Sequence, residues 1–159
     1  MLNVRSRHPF LVFGPPGTGK TRTVCEAIKQ LWLAQDENND KALIIVAAPS
    51  NTAIDIIAKD LIDVVPQAEI LRLASLSHFS KLDKKLAKFS AQFRDDVYEK
   101  SSTLRILCGT LQILGKLDPS KIKATHIIVD EAGQSTGTWP VFSLCIVNKQ
   151  LTCQQITVI

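Results

Sequence analysis

A chain of 159 residues, 45% apolar and 21% charged, can bury one hydrophobic core and is too apolar for a disordered chain. Its net charge of +4 suits a polyanionic partner without requiring one. Cys25, Cys108, Cys145 and Cys153 stand far apart, with no C-x-x-C pair and no zinc spacing, so they read as reduced, apolar-behaving side chains. No run reaches the ~18 apolar residues of a spanning helix, and the first ten residues lack the apolar core of a signal peptide. The expectation is a soluble protein without a membrane partner, in the cytoplasm, with the nucleus as the alternative.

In chain order, Pro9 to Phe13 is a short apolar run of the kind that forms a buried parallel strand. It runs into Gly14-Pro15-Pro16-Gly17-Thr18-Gly19-Lys20-Thr21, which satisfies G-x-x-x-x-G-K-[ST], the Walker A phosphate-binding loop. Its glycines let successive N–H groups point inward at the start of a helix, where an anion is favoured. In that motif Lys20 reaches the terminal phosphates of ATP, and the Thr21 hydroxyl is placed to ligand Mg²⁺. A helix follows, with Val24, Ala27, Ile28 and Leu31 on one face, and the polar cluster Gln35 to Asp40 ends it.

Leu43 to Ala48 is continuously apolar and reads as a strand covered on both faces. Pro49-Ser50-Asn51 then breaks it and caps a second helix, whose buried face is Ala53, Ile54, Ile57, Ala58, Leu61 and Ile62. Glu69 to Leu73 is a third strand. From Ala74 to Ser102 serines and lysines dominate, and Leu82, Leu86, Phe89, Phe93 and Val97 recur at steps of three or four. That periodicity predicts one amphipathic helix, an excursion from the sheet with Lys81, Lys84, Lys85 and Lys88 on its far side. The lysines read either as a solvated face or as a stripe for a nucleic-acid backbone.

Leu104 to Cys108 and Thr125 to Val129 are two more buried strands, Pro140 to Val147 a helix, and Ile156 to Ile159 a final strand. His8, His78 and His126 read as surface, loop or strand-edge residues without metal-like neighbours. The strand at Thr125 ends in Asp130-Glu131, which puts a carboxylate at the carboxyl edge of a core strand, as in a Walker B motif. Ligands of open α/β sheets sit beyond those edges, so Asp130 can share a crevice with the Gly14 loop and hold Mg²⁺ with Thr21. Glu131 is the candidate for orienting or deprotonating the attacking water. Strands alternating with helices predict an α/β, three-layer P-loop NTPase with a mainly parallel sheet and a short helical insertion at about 74–102.

FGPPGTGKT, AAPSNTAID, RILCGTLQ and HIIVDEAGQ, in this order, resemble the first motor (RecA-like) domain of superfamily 1 helicases, nearest in likeness to the nonsense-mediated-decay and Armitage types. The resemblance spans Phe10 to about Val147. It implies an ATP-dependent motor acting on single-stranded RNA or DNA, with RNA-processing or RNA-decay proteins as partners. It also implies that Ser50, Asn51 and Thr52 of the Ala-Pro-Ser-Asn segment, and Thr110, contact the strand, and that Gln134 links the nucleotide and nucleic-acid sites. The residue reading of Ser50 and Thr110 leaves helix capping open as the alternative use of each hydroxyl. The insertion corresponds to where these helicases place a subdomain over the RNA channel.

The sequence departs from the family after DEAGQ, where Ser135-Thr136-Gly137-Thr138-Trp139 replaces a glutamate-containing segment. The resemblance also implies a following Gly-Asp...Gln motif and a second motor domain carrying arginine fingers, so the expectation for 159 residues is a partial motor domain. An AAA-type ATPase shares the GPPGTGKT string, but its Walker motifs lie close together, whereas Lys20 and Asp130 are over a hundred positions apart and enclose APSN. A non-catalytic, nucleic-acid-binding remnant of a helicase is the third alternative.

Overall fold

The computed structural model describes residues 10–37, 43–92, 97–98, 103–122, 124–134 and 155–158. Within them, Leu43–Ala48 (β2) is the natural centre: six consecutive apolar residues, all buried, that pair in parallel with a strand on each side. Ile44, Val46 and Ala48 join one core and Leu43, Ile45 and Ala47 the other, so the period-two geometry of a strand divides one apolar run between two layers.

Five further strands and five helices complete the described framework around β1, Phe10–Leu11. They are α1 (Lys20–Glu37), α2 (Asn51–Leu61), β3 (Ile70–Ala74), α3 (Leu76–Phe79), α4 (Lys84–Ala87), β4 (Ser90–Gln92), β5 (Ile106–Thr110), α5 (Leu111–Leu114), β6 (Ala124–Val129) and β7 (Gln155–Val158). The sheet runs β1-β7-β6-β2-β5-β3-β4, and every described pairing is parallel. Residues of α1, α2 and α4 pack in one core and those of α5 in the other, giving the expected three-layer α/β architecture.

The predicted face of α2 is buried at all six positions, and the Ser50 side chain accepts from the Ala53 N–H at 3.1 Å, closing the helix start. The face of α1 is rotated from the expected one. Val24, Cys25, Ile28 and Trp32 are buried, Leu31 is partly buried, and Ala27 is exposed. Trp32 explains the rotation: its indole N–H donates to Glu69 at 2.7 Å, and the Arg105 guanidinium lies 5.4 Å from its ring centroid while also reaching Glu69. This clamp ties α1 to the amino-terminal ends of β3 and β5.

Three expectations are corrected. β1 is not a buried strand: Phe10, Leu11 and Phe13 are exposed, because β1 ends the described sheet and has β7 as its one strand neighbour. The predicted helix over 74–102 is broken into α3, α4 and the strand β4, which pairs with β3. Asp83 makes the break by accepting from the Leu86 N–H at 2.8 Å, so a new helix starts at Lys84. The apolar positions nonetheless meet the core, with Leu86 buried and Leu82 and Phe89 packed against it. Lys81, Lys84, Lys85 and Lys88 are exposed but form no stripe on a common helix, and Lys85 pairs with Asp63. His78 is not in a loop: it lies on α3, half-buried, with its Nε2 2.7 Å from Asp55. Phe93 and the helix expected over 140–147 lie outside the described residues. β5 is shifted two residues along from its expected span, to Ile106–Thr110, while β3, β6 and β7 lie within one residue of theirs, with Ile159 outside the described residues.

Candidate nucleotide and strand site

The carboxyl ends of the parallel strands carry the predicted chemistry. Between β1 and α1 the loop turns through Gly17 and Gly19, whose φ angles of 79° and 84° lie in the left-handed region where a side chain would be strained. Left-handed glycines spaced two apart are the backbone pattern from which anion nests are built, here at the amino end of an 18-residue helix, where an anion is favoured. The loop is braced from within. Thr18 Oγ1 donates to the Pro15 carbonyl at 2.8 Å, and Lys20 Nζ donates to the carbonyls of Gly14 at 2.7 Å and Pro15 at 2.9 Å. The ammonium is thus held over the loop that gives the motif its shape.

Asp130 arrives from β6. It is 2% exposed, its N–H donates to the Ala47 carbonyl at 2.9 Å, and its Oδ1 accepts from the Glu131 N–H at 3.1 Å. Its Oδ2 accepts from the Thr21 hydroxyl at 3.0 Å, across 109 positions of sequence. Thus the two predicted Mg²⁺ ligands are brought together, although β7 lies between the strands that carry them. A hydroxyl beside a carboxylate is a hard-oxygen pair, which fits Mg²⁺ completed by phosphate oxygens and water.

Glu131 has a φ of 54° and is exposed. A non-glycine residue in that conformation costs of order 1–2 kcal/mol, and here it reverses the chain at the strand end so that Asp130 points inward and Glu131 outward. Gln134 ends the short 3₁₀ turn that follows. Its N–H donates to the Glu131 carbonyl at 3.0 Å and its side chain is exposed.

The four residues predicted for nucleic acid divide. Asn51 and Thr110 line one cavity of ≈ 170 Å³, together with Ser75, Gln112 and Lys116, at the ends of β2, β3 and β5. Ser50 and Thr52 are exposed and outside that lining. The Ser50 hydroxyl caps α2, and the Thr110 side chain, 6% exposed, accepts from the Ile113 N–H at 3.4 Å to cap α5.

Sequence reading missed a polar cluster behind Asn51. Arg72 is fully buried; its Nε donates to Asp55 Oδ1 at 2.9 Å, one terminal nitrogen donates to Asn51 Oδ1 at 2.9 Å, and the other reaches the Leu73 carbonyl. Its strand parity was the available signal. In Ile70-Leu71-Arg72-Leu73, Leu71 and Leu73 join one core and Ile70 the other, so position 72 faces α2 from inside the molecule.

Comparison with known proteins places the chain in a family. The family model described as "AAA domain" matches residues 2–100. The chain is 36% identical over 146 residues to a putative helicase mov-10-B.2 of Danio rerio, covering 86% of this chain and 14% of that protein. It is 33% identical over 133 residues to the human RNA helicase Mov10l1, covering 80% and 11%. The probable RNA helicase armi of Drosophila melanogaster is 32% identical over 155 residues, covering 80% and 13%. The chain therefore spans about a seventh or less of the length of these relatives. With ordered motifs, fold and relatives in agreement, the chain belongs to this AAA-domain family and is a motor domain of the superfamily 1 helicase type.

Proposed function

We propose that this motor domain binds Mg-ATP between the Gly14–Thr21 loop and Asp130, hydrolyses it, and uses the cycle to act on single-stranded RNA. The observation that carries the reading is the 3.0 Å contact between Thr21 and Asp130, which unites the two halves of a nucleotide site. The nest at Gly17 to Lys20 receives phosphate oxygens, and Lys20 exchanges its carbonyl contacts for them. Mg²⁺, held by Thr21 and Asp130, supplies charge neutralisation at the phosphates. Glu131, exposed beside Asp130, orients the attacking water and accepts its proton. RNA is favoured over DNA because relatives are named as RNA helicases.

Glu131→Gln tests the division of labour. Its amide keeps the shape but accepts no proton at neutral pH, while Thr21 and Asp130 are untouched. Strand-stimulated ATP hydrolysis should fall by 10²-fold or more, with nucleotide affinity within about twofold of wild type. Undiminished turnover would remove Glu131 from the reaction.

A further inference from the structure

Arg72 is the largest fully buried side chain of the described residues, and it is charged. A guanidinium has five N–H donors and no acceptor, so every hydrogen-bond partner must offer it an acceptor atom. Asp55 does so with Oδ1, the Leu73 carbonyl accepts a second contact, and Asn51 turns Oδ1 toward it. That last contact resolves the orientation of the Asn51 amide, because the reversed rotamer would set N–H against N–H. Nδ2 is then the end of Asn51 with protons to offer, on a residue that lines the ≈ 170 Å³ cavity with Lys116. Asp55 has its own second partner, with Oδ2 2.7 Å from His78 Nε2 on α3. One guanidinium therefore joins α2 and β3 directly, and α3 through Asp55.

We propose that Arg72 is a positioning residue for strand binding, which fixes Asn51 with its N–H₂ group as a donor to the phosphate backbone of a single strand lying across the cavity. The proposal rests on the strand-binding reading above and adds to it the residue that sets the donor. Lysine in place of Arg72 keeps the charge beside Asp55 but has no planar fork to span Asp55 and Asn51 together. The amide is then released to turn, and an acceptor faces phosphate in part of the population.

The test is a double-mutant cycle on affinity for fluorescein-labelled oligouridylate at low salt, with wild type, Arg72→Lys, Asn51→Ala and the double variant. Mg-ATP affinity serves as the folding control. Arg72→Lys should weaken strand binding by about 10-fold when Asn51 is present and less than twofold when it is Ala, because the effect passes through that amide. Asn51→Asp is the second variant. Its carboxylate still accepts from Arg72, so thermal stability should match wild type, yet it has no proton for phosphate and strand affinity should fall by about 10-fold or more. Equal losses from Arg72→Lys in both backgrounds, or wild-type affinity in Asn51→Asp, would overturn the assignment. Should Arg72→Lys fail to fold, Arg72→Gln takes its place in the same cycle: the shorter side chain cannot span Asp55 and Asn51 together, so its loss should likewise disappear in the Asn51→Ala background. Failure of wild type to bind the oligonucleotide would overturn the strand-binding reading itself, whereas binding with independent losses would overturn the role of Arg72 only.

Discussion

Glu131 carries a backbone cost that its neighbours do not. Its φ of 54° is tolerated best by glycine and asparagine, and a long acidic side chain gains nothing from it locally. Glu131→Asn should therefore raise stability by ~1 kcal/mol in chemical denaturation while abolishing turnover, the opposite signs expected where strain serves chemistry. The buried thiols behave in the reverse sense, inert in the folded state. Burial, with Asp60 beside one of them, pushes both Cys25 and Cys108 up to about 12. Between the ordinary thiol value and that one, the unfolded chain has released protons that the folded chain retains, so stability falls as pH rises through this window. The slope per thiol approaches about 1.4 kcal/mol per pH unit. At pH 9, iodoacetamide should label Cys25 and Cys108 at least tenfold more slowly in the native protein than in urea, as read by peptide mapping. Equal rates would mean that these side chains are not enclosed.

At the scale of elements, β5 and α5 meet through Gly109. A Cβ built there would lie 2.8 Å from Cγ of Leu114 and 3.0 Å from one of its methyls, and Leu114 is fully buried with nowhere to retreat. Gly109→Ala should cost about 1–3 kcal/mol, measured by denaturant titration, and should loosen the Thr110 cap beside the strand cavity. Leu86 makes the complementary case. Although α4 has only four residues, Leu86→Ala should cost about 2–5 kcal/mol, since the side chain is fully enclosed in the α1–α2 core. The same segment shows what periodicity reports. Steps of three and four from Leu82 to Phe89 marked the side chains that reach the core, but not the Asp83 cap that restarts the helix or the pairing of Arg72 with Ser90 that makes β4. Burial was legible there; the backbone that delivers it depended on a capping carboxylate and on pairing with the preceding strand, β3.

For the whole molecule, the parallel sheet was written in continuous apolar runs such as Leu43 to Ala48, and the nucleotide site in two motifs whose residue types are fixed by phosphate and metal chemistry. Arg72 was legible only as an anomaly, a charge at an inward strand position. Its partners Asn51 and Asp55 come from another element, and no local pattern connects them. Likewise, nothing short-range announces that Glu69 receives both Trp32 and Arg105. The central claim is that the Gly14–Thr21 loop and Asp130 form one nucleotide site. Calorimetric titration of the protein with Mg-ATP, wild type against Lys20→Ala, tests it most directly. Loss of the charge-assisted contact of Lys20 should weaken binding by about 1.5–3 kcal/mol, roughly 10- to 150-fold, with the melting temperature of the nucleotide-free protein little changed. Equal affinity in the two proteins would contradict the account.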